Sequence, residues 1–139
     1  MTQLSQFDRW VEPFIQSGRF SVAFECIVQK RNPNKPIILV GWDTAAIVSL
    51  MVSILEPGCI SAVCCLGFPL LSIHGLRGET IDPLTDVTCP VFIAVGSAAS
   101  NCDINELEDF RDQLNAQTKL IQICGGDAFL KVPNHIQVR

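Results

Sequence analysis

The chain has 139 residues, 48% of them hydrophobic, and a formal net charge of −4 at pH 7. That length is enough for one modest domain with a core, and the hydrophobic content is typical of a globular protein rather than a disordered tail. Because 14 acidic residues outnumber ten scattered Lys and Arg residues, we expect no direct binding to nucleic acid.

The number and spacing of the seven cysteines and two histidines argue against a disulfide-bonded protein and against a metal site. An odd number of cysteines with no Cys-x-x-Cys pair predicts free thiols in a reducing compartment. With no cluster of His and Cys we expect no metal and no cofactor. The longest apolar stretch, 45–55, is shorter than the roughly 20 residues that a membrane span needs, so we expect no membrane association.

Two amphipathic helices are predicted ahead of the first strand, in residues 4–17 and 20–30. Their apolar positions are Leu4, Phe7, Trp10, Val11, Phe14 and Ile15 in the first, and Phe20, Phe24, Ile27 and Val28 in the second. We therefore divide one partial domain, 1–139, into a helical lead-in (1–35), a sheet core (36–132) and a tail (133–139).

Short apolar runs then alternate with helical segments. Helices are predicted at 44–56 and from Asp103 onward, where Glu106 completes a capping box, and the loop-rich segment 67–89 is expected to pass over the rim of the sheet. A strand that is apolar on both faces needs cover on both faces, so the alternation predicts an α/β fold with a parallel sheet flanked by helices. The four predicted strands are 36–40, 61–66, 90–95 and 120–124.

The strand at 36–41 has the composition of a central strand, yet only helices are predicted before it. An uncovered apolar edge promotes aggregation. The sheet therefore continues in sequence missing from this chain, or a partner covers the edge, or residues 1–34 fold over it. The sequence leaves these three explanations open.

The strongest local motif is Gly41-Trp42-Asp43-Thr44-Ala45, which follows a strand and opens a helix. This is the layout of the nucleophile elbow, in which a tight turn presents one side chain at the carboxyl edge of the sheet. The motif predicts a partial α/β-hydrolase-type sheet. We expect Asp43 to cap the following helix, which would contribute about 1 kcal/mol; the alternative is a carboxylate nucleophile.

A nucleophile would need an acid and a histidine after the next strands. The residues after the strand at 90–95 include no carboxylate before Asp103, and the loop after 120–124 contains no histidine. His74, in the rim segment, and His135, near the chain end, are the remaining candidates. We therefore predict a vestigial elbow without a catalytic triad.

Several segments together resemble the α/β-hydrolase-like domain of the family of regulatory subunit 3 of the non-specific-lethal (NSL) histone acetyltransferase complex. The likeness covers about 36–132, and its rim motif, Leu-Gly-Phe-Pro-Leu followed by Asp-Pro-Leu, is more specific than the elbow. The segments that carry it are 38–45, 62–70, 75–78, 82–84, 89–96 and 108–111.

The resemblance implies a nuclear, non-enzymatic subunit that acts with the other NSL subunits, including a MYST-family acetyltransferase, on histone H4 and so regulates transcription. It equates Asp43, Ala99 and Ala128 with the nucleophile, acid and histidine positions of hydrolase relatives. It also implies that the half of the sheet that precedes residue 36 in those relatives is missing here.

Three hypotheses follow from the sequence. The first is a non-catalytic scaffold in a chromatin complex, and the alternative is a hydrolase that uses Asp43 as nucleophile on a small ester, epoxide or halide, with His74 or His135 as base. The third is a binding module that retains an emptied cleft at the elbow.

Overall fold

The structure, a computed structural model, describes residues 33–72, 75–78 and 82–137. The helices predicted at 4–17 and 20–30 lie outside these ranges. The main sheet has four parallel strands, as predicted, and their order in space is their order in the chain. They are β1 (Ile38–Trp42), β2 (Ala62–Leu66), β5 (Val91–Gly96) and β6 (Thr118–Ile123).

The connections between neighbouring strands supply the other elements, because a parallel pair needs a crossover rather than a tight turn. Helix α1 (Thr44–Leu55) joins β1 to β2, and α2 (Ile104–Asp112) joins β5 to β6. Between β2 and β5 lie a two-stranded antiparallel sheet, β3 (Leu71–Ser72) with β4 (Gly75–Leu76), and the 3-10 helix Pro83–Asp86. The last element is the short helix α3 (Asn134–Gln137).

The N-terminus of α2 forms as predicted. The Asp103 carboxylate accepts hydrogen bonds from the backbone N–H groups of Asn105 and Glu106, at 2.9 and 3.2 Å. These two donors have no partner within the helix, and the cap satisfies both. Leu107 and Phe110 of this helix are buried.

The hydrophobic core lies on one face of the main sheet, which we call the inner face. Alternate residues of a strand point to opposite faces, and those on the inner face pack with α1 and α2 into one cluster. Its main members are Ala46, Ile47, Leu50, Val63, Cys65, Val91, Ile93, Val95, Leu107, Phe110 and Leu114.

On the opposite, outer face, the described helices leave several large side chains exposed. Ile38, Val40 and Trp42 of β1 are 62%, 63% and 51% exposed. Strand register continues this face across the sheet, since Val40 lies beside Cys64 and Cys64 beside Phe92. None of these side chains belongs to the core cluster. We define the outer face by its nine larger side chains: Ile38, Val40, Trp42, Cys64, Leu66, Phe92, Lys119, Ile121 and Ile123.

The rim segment contributes more to the core than the sequence predicted. Phe68, Leu70 and Leu84 are at most 1% exposed. The Phe68 ring stacks on Phe110 of α2, with centroids 5.5 Å apart. The segment that was expected to pass over the rim therefore also closes one end of the core.

Candidate functional site

The elbow joins β1 to α1 through a single residue. Asp43 has φ 54° and ψ −122°, a left-handed backbone that costs a residue other than glycine about 1–3 kcal/mol. Two backbone hydrogen bonds hold it there: the Asp43 N–H donates to the Leu66 carbonyl at 2.8 Å, and its own carbonyl accepts from Ala46 N–H at 3.0 Å. The chain thus retains the strand–turn–helix layout of a nucleophile elbow.

Gly41 allows the helix to approach the strand so closely. A Cβ at this position would lie 2.2 Å from the carbonyl oxygen of Ala45 and 2.5 Å from the Cα of Ala46. No side chain fits at those distances. The first glycine of the motif is therefore required by the packing of α1 on the end of β1.

The expected capping role of Asp43 is wrong. Asp43 occupies the N-cap position of α1, but its side chain makes no cap hydrogen bond. A capping residue normally has an extended backbone that turns its carboxylate back toward the first amides of the helix, as Asp103 does with ψ 137°. The left-handed backbone of Asp43 directs its half-buried carboxylate elsewhere.

The loop that follows β5 and the loop that follows β6 lie at the same edge of the sheet as the elbow. Hydrogen bonds join these two loops to each other. The Ser97 hydroxyl accepts from the Gly125 N–H at 2.8 Å, and the Ala98 N–H donates to the Gly126 carbonyl at 2.9 Å. A Cβ on Gly96 would lie 2.0 Å from the carbonyl oxygen of Gly126. The backbones of the loops therefore pack in direct contact.

The loop that follows β6 continues to the end of β2, beside the elbow. Asp127 shapes it, because its carboxylate accepts from Phe129 N–H at 2.9 Å and Lys131 N–H at 2.8 Å. A Cβ on Gly67 would lie 2.6 Å from the Ala128 carbonyl oxygen. Gly67 directly follows Leu66, whose carbonyl accepts the Asp43 N–H. Ala128 therefore lies close to the turn at Asp43, but its side chain is only a methyl group.

The structure describes one of the two candidate histidines. His74 lies outside the described residues. His135 is exposed in α3, and no hydrogen bond among the described residues joins it to Asp43. Ala99 is half-buried against the core. Of the sequence-based candidates that lie within the described residues, Ala128 is the one that the structure places close to the elbow.

The buried thiols are poor nucleophiles at neutral pH. Burial, with smaller effects from Cys64 and Cys89 nearby, raises the pKa of Cys65 to about 12. Burial likewise raises the pKa of Cys102 to about 11. A thiol with a raised pKa holds little of the reactive thiolate.

Other features lie away from the elbow. A pocket of about 180 Å³ lies between β4 and α2, and none of its lining residues belongs to the elbow. Among the described residues no group of three or more His, Cys, Asp and Glu could hold a metal ion. No helix in the described part of the chain is long and apolar enough to cross a membrane.

Comparison with known proteins supports the fold. Protein sumv-2 of Caenorhabditis elegans is 24% identical over 110 residues, which are 79% of this chain and 10% of that protein. No family model matches the chain.

Solved structures give stronger likenesses. An alpha-beta serine hydrolase homologue from Coxiella burnetii superposes with a TM-score of 0.62 at 16% identity, over 93% of this chain and 55% of that one. For alpha/beta hydrolase domain-containing protein 10 from mouse the TM-score is 0.57 at 15% identity, over 79% and 59%. A cold-adapted esterase from an Arctic intertidal metagenomic library gives 0.60 at 19%, over 78% and 45%.

The chain therefore has an α/β-hydrolase-like fold. It spans about half the length of these solved structures and about a tenth of the length of sumv-2.

Proposed function

We propose that this chain is a hydrolase-like domain without hydrolase chemistry that serves as a scaffold subunit of the NSL histone acetyltransferase complex. In this role it acts in the nucleus, with a MYST-family acetyltransferase and the other NSL subunits, in the regulation of transcription. The proposal rests on the segments between 36 and 132 that resemble the third regulatory subunit of that complex.

One observation carries the non-catalytic part of the proposal. The loop that lies close to the turn at Asp43 carries Ala128 at the position that the resemblance equates with the catalytic histidine. Acyl transfer at an elbow needs a base that accepts and returns a proton and a carboxylate that orients it. The methyl groups of Ala99 and Ala128 can do neither.

The rim motif supports a retained structural role. The Asp82 carboxylate accepts the Leu84 N–H at 3.0 Å and pairs with the Arg77 guanidinium at 3.5 Å, with both charged side chains at most 11% exposed. Leu84 itself is fully buried. The residues that carry the resemblance therefore hold the core together, which a scaffold needs as much as an enzyme does.

Affinity purification of the tagged full chain from nuclear extract tests the assignment. We expect the MYST-family acetyltransferase and other NSL subunits to be recovered equally with the wild type and with Asp43→Ala, because a scaffold does not depend on the elbow carboxylate. Recovery of none of these subunits by either chain would remove the complex from the proposal.

One observation favours the hydrolase alternative. Asp43 keeps a strained backbone although its carboxylate makes no cap hydrogen bond, and strain of this kind concentrates at functional sites. In that mechanism the carboxylate would attack a saturated carbon of the substrate and displace the ring oxygen of an epoxide, the halide of a haloalkane or the carboxylate of an ester, which forms an alkyl ester with Asp43. Water, activated by His74 or His135, would then attack the Asp43 acyl carbon, release the alcohol and regenerate the carboxylate.

Activity measurements separate the two functions. The wild type and Asp43→Ala are assayed on panels of small esters, epoxides and haloalkanes. We expect neither chain to exceed the background rate. Turnover by the wild type that disappears in Asp43→Ala would establish the nucleophile and replace the scaffold proposal.

A further inference from the structure

The pocket between β4 and α2 is a cavity of the size of one side chain. Its volume is about 180 Å³, which is below the roughly 300 Å³ at which small-molecule pockets usually begin. A cavity of roughly 150 Å³ already holds a benzene molecule. The pocket therefore fits a partner that inserts a single amino-acid side chain better than it fits a cofactor or a large metabolite.

The inner lining of the pocket has an apolar part that the core holds in place. Leu76 and Phe110 belong to this lining, and Phe110 is 1% exposed and stacked on Phe68. Gly78 passes so close that an added Cβ would lie 3.1 Å from the Phe110 ring. This rigid apolar part can pack against the methylene groups of a long side chain.

The exposed lining of the pocket consists of hydrogen-bond acceptors. Glu106, Asp109 and Gln113 follow one side of α2 at spacings of three and four residues. In the described part of the chain neither of these two carboxylates has an ion pair or a hydrogen bond, whereas Glu108, outside the pocket, pairs with Arg111 at 2.6 Å. Gln113 Nε2 donates to the Asp109 carbonyl at 3.3 Å, which leaves Gln113 Oε1 as a further acceptor.

The helix dipole does not account for all of the negative charge on α2. Between Asp103 and Asp112 the sequence has five acidic residues and one basic residue, Arg111. The dipole favours carboxylates in the first turn, as at Asp103 and Glu106, and disfavours them in the last turn. Asp109 and Asp112 nevertheless lie in the last turn. Because α2 gains no stability from a carboxylate there, the charge of Asp109 is matched to a cation outside the helix.

Arg77 does not make the pocket cationic. Its guanidinium pairs with the Asp82 carboxylate at 3.5 Å, and its side chain is 11% exposed. Because Asp82 balances this charge, Glu106 and Asp109 leave the pocket with a net negative charge. The two carboxylates repel an anionic ligand and attract a cationic one.

We propose that this pocket binds one lysine side chain from a basic segment of a partner protein. The methylene stem packs on Leu76 and Phe110, and the ammonium lies at the exposed side, beside Glu106 and Asp109. An ammonium has three N–H donors, and the pocket offers three acceptor groups, the two carboxylates and Gln113 Oε1. Lysine suits these separate acceptors better than arginine, because its donors rotate about a compact charge, whereas arginine holds its donors in a rigid planar fork.

NMR titration of the ¹⁵N-labelled full chain with Nα-acetyl-lysine methylamide tests the proposal. We expect saturable shifts of the backbone amides of Leu76, Gly78 and Gln113, with a Kd on the order of 1 mM for a ligand of this size. Nα-acetyl-norleucine methylamide has the stem without the charge, and methylammonium chloride has the charge without the stem. We expect each of these two probes to bind at least fivefold more weakly.

Two substitutions in the last turn of α2 form a matched pair. Asp109→Asn removes one charge from the pocket, and Asp112→Asn removes the same charge from the same turn outside the pocket. We expect Asp109→Asn to weaken binding of the lysine probe at least fourfold and Asp112→Asn to weaken it less than twofold. Both variants should fold, because each removes a carboxylate from the end of the helix where the dipole disfavours it.

Each other result contradicts the proposal. Without saturable shifts at the pocket residues, no lysine side chain binds there. Equal weakening by both variants assigns the binding to the general negative charge of α2. If norleucine methylamide binds as tightly as the lysine probe, the carboxylates have no part in recognition, and if methylammonium does so, the apolar lining has none. None of these measurements depends on the NSL complex or on catalysis, so this proposal and the proposed function can fail separately.

Discussion

The backbone N–H of Asp43 donates to the carbonyl oxygen of Leu66 at 2.8 Å. This bond ties the turn at the end of β1 to the end of β2 and helps hold Asp43 in a left-handed conformation. The elbow is therefore a tertiary feature, because the neighbouring strand stabilises a backbone that the local sequence disfavours.

Replacing Asp43 with glycine should stabilise the protein. Glycine adopts a positive φ without steric cost, and the carboxylate makes no cap hydrogen bond that would be lost. We expect Asp43→Gly to raise the free energy of unfolding by about 1 kcal/mol, after the entropic cost of glycine. Urea unfolding measures this. Asp43→Ala is the control and should change stability by less than about 0.5 kcal/mol; a loss of 1 kcal/mol there would restore the capping role.

Gly41 and Gly58 should respond differently to alanine. The new methyl group at Gly41 would lie 2.2 Å from a backbone oxygen of α1, whereas the space around Gly58 is open within 4 Å. We expect Gly41→Ala to cost about 3 kcal/mol or more, since helix and strand must separate. Gly58→Ala has only the cost of its positive φ, about 1 kcal/mol. Equal losses in chemical denaturation would show that the contact at Gly41 relaxes easily.

Removal of the Asp82 carboxylate should destabilise the protein far more than removal of an exposed cap. Asp82→Ala removes the carboxylate that pairs with the Arg77 guanidinium and leaves the Leu84 N–H without its acceptor. Loss of one partner of a buried pair costs about 3–5 kcal/mol. Asp103→Ala, which removes an exposed helix cap, should cost about 1 kcal/mol. Thermal and urea unfolding of the two variants give the comparison, and similar costs would contradict a structural role for the rim motif.

The buried thiol of Cys65 should weaken the fold at alkaline pH. Its pKa is raised from 9.0 to about 12 by burial, so the unfolded chain releases this proton at lower pH than the folded one. The contribution of the protonated Cys65 thiol to the free energy of unfolding is complete below pH 9 and is lost as the pH rises from 9 toward 12. We expect Cys65→Ala to flatten the decline in unfolding free energy over this range. Cys124→Ala, at an exposed position, should decline as the wild type does.

The sequence predicted the parallel sheet and its four strands because the relevant signals are local. Each strand is a short apolar run bounded by turn residues, and α1 begins at Thr44 and ends at Leu55, within one residue of the predicted limits. The capping of α2 by Asp103 is likewise encoded within four residues.

Three features could not be predicted because they depend on distant contacts. Strand β1 is apolar at every position, so its pattern cannot tell which face is covered, and only the packing of α1 decides this. The burial of Phe68 depends on Phe110, 42 positions later. A local preference for capping predicted the wrong role for Asp43, because the bond to Leu66 imposes a different backbone.

The order of the four main strands has a consequence for synthesis on the ribosome. Because the order in space is the order in the chain, each strand that emerges adds next to the one before it, and no later strand has to insert between two that are already paired. Parallel pairing requires long loops to close and is intrinsically slow. Growth from one side lets β1, α1 and β2 form a paired unit while β6 is still being translated, which shortens the time for which unpaired apolar strands can aggregate.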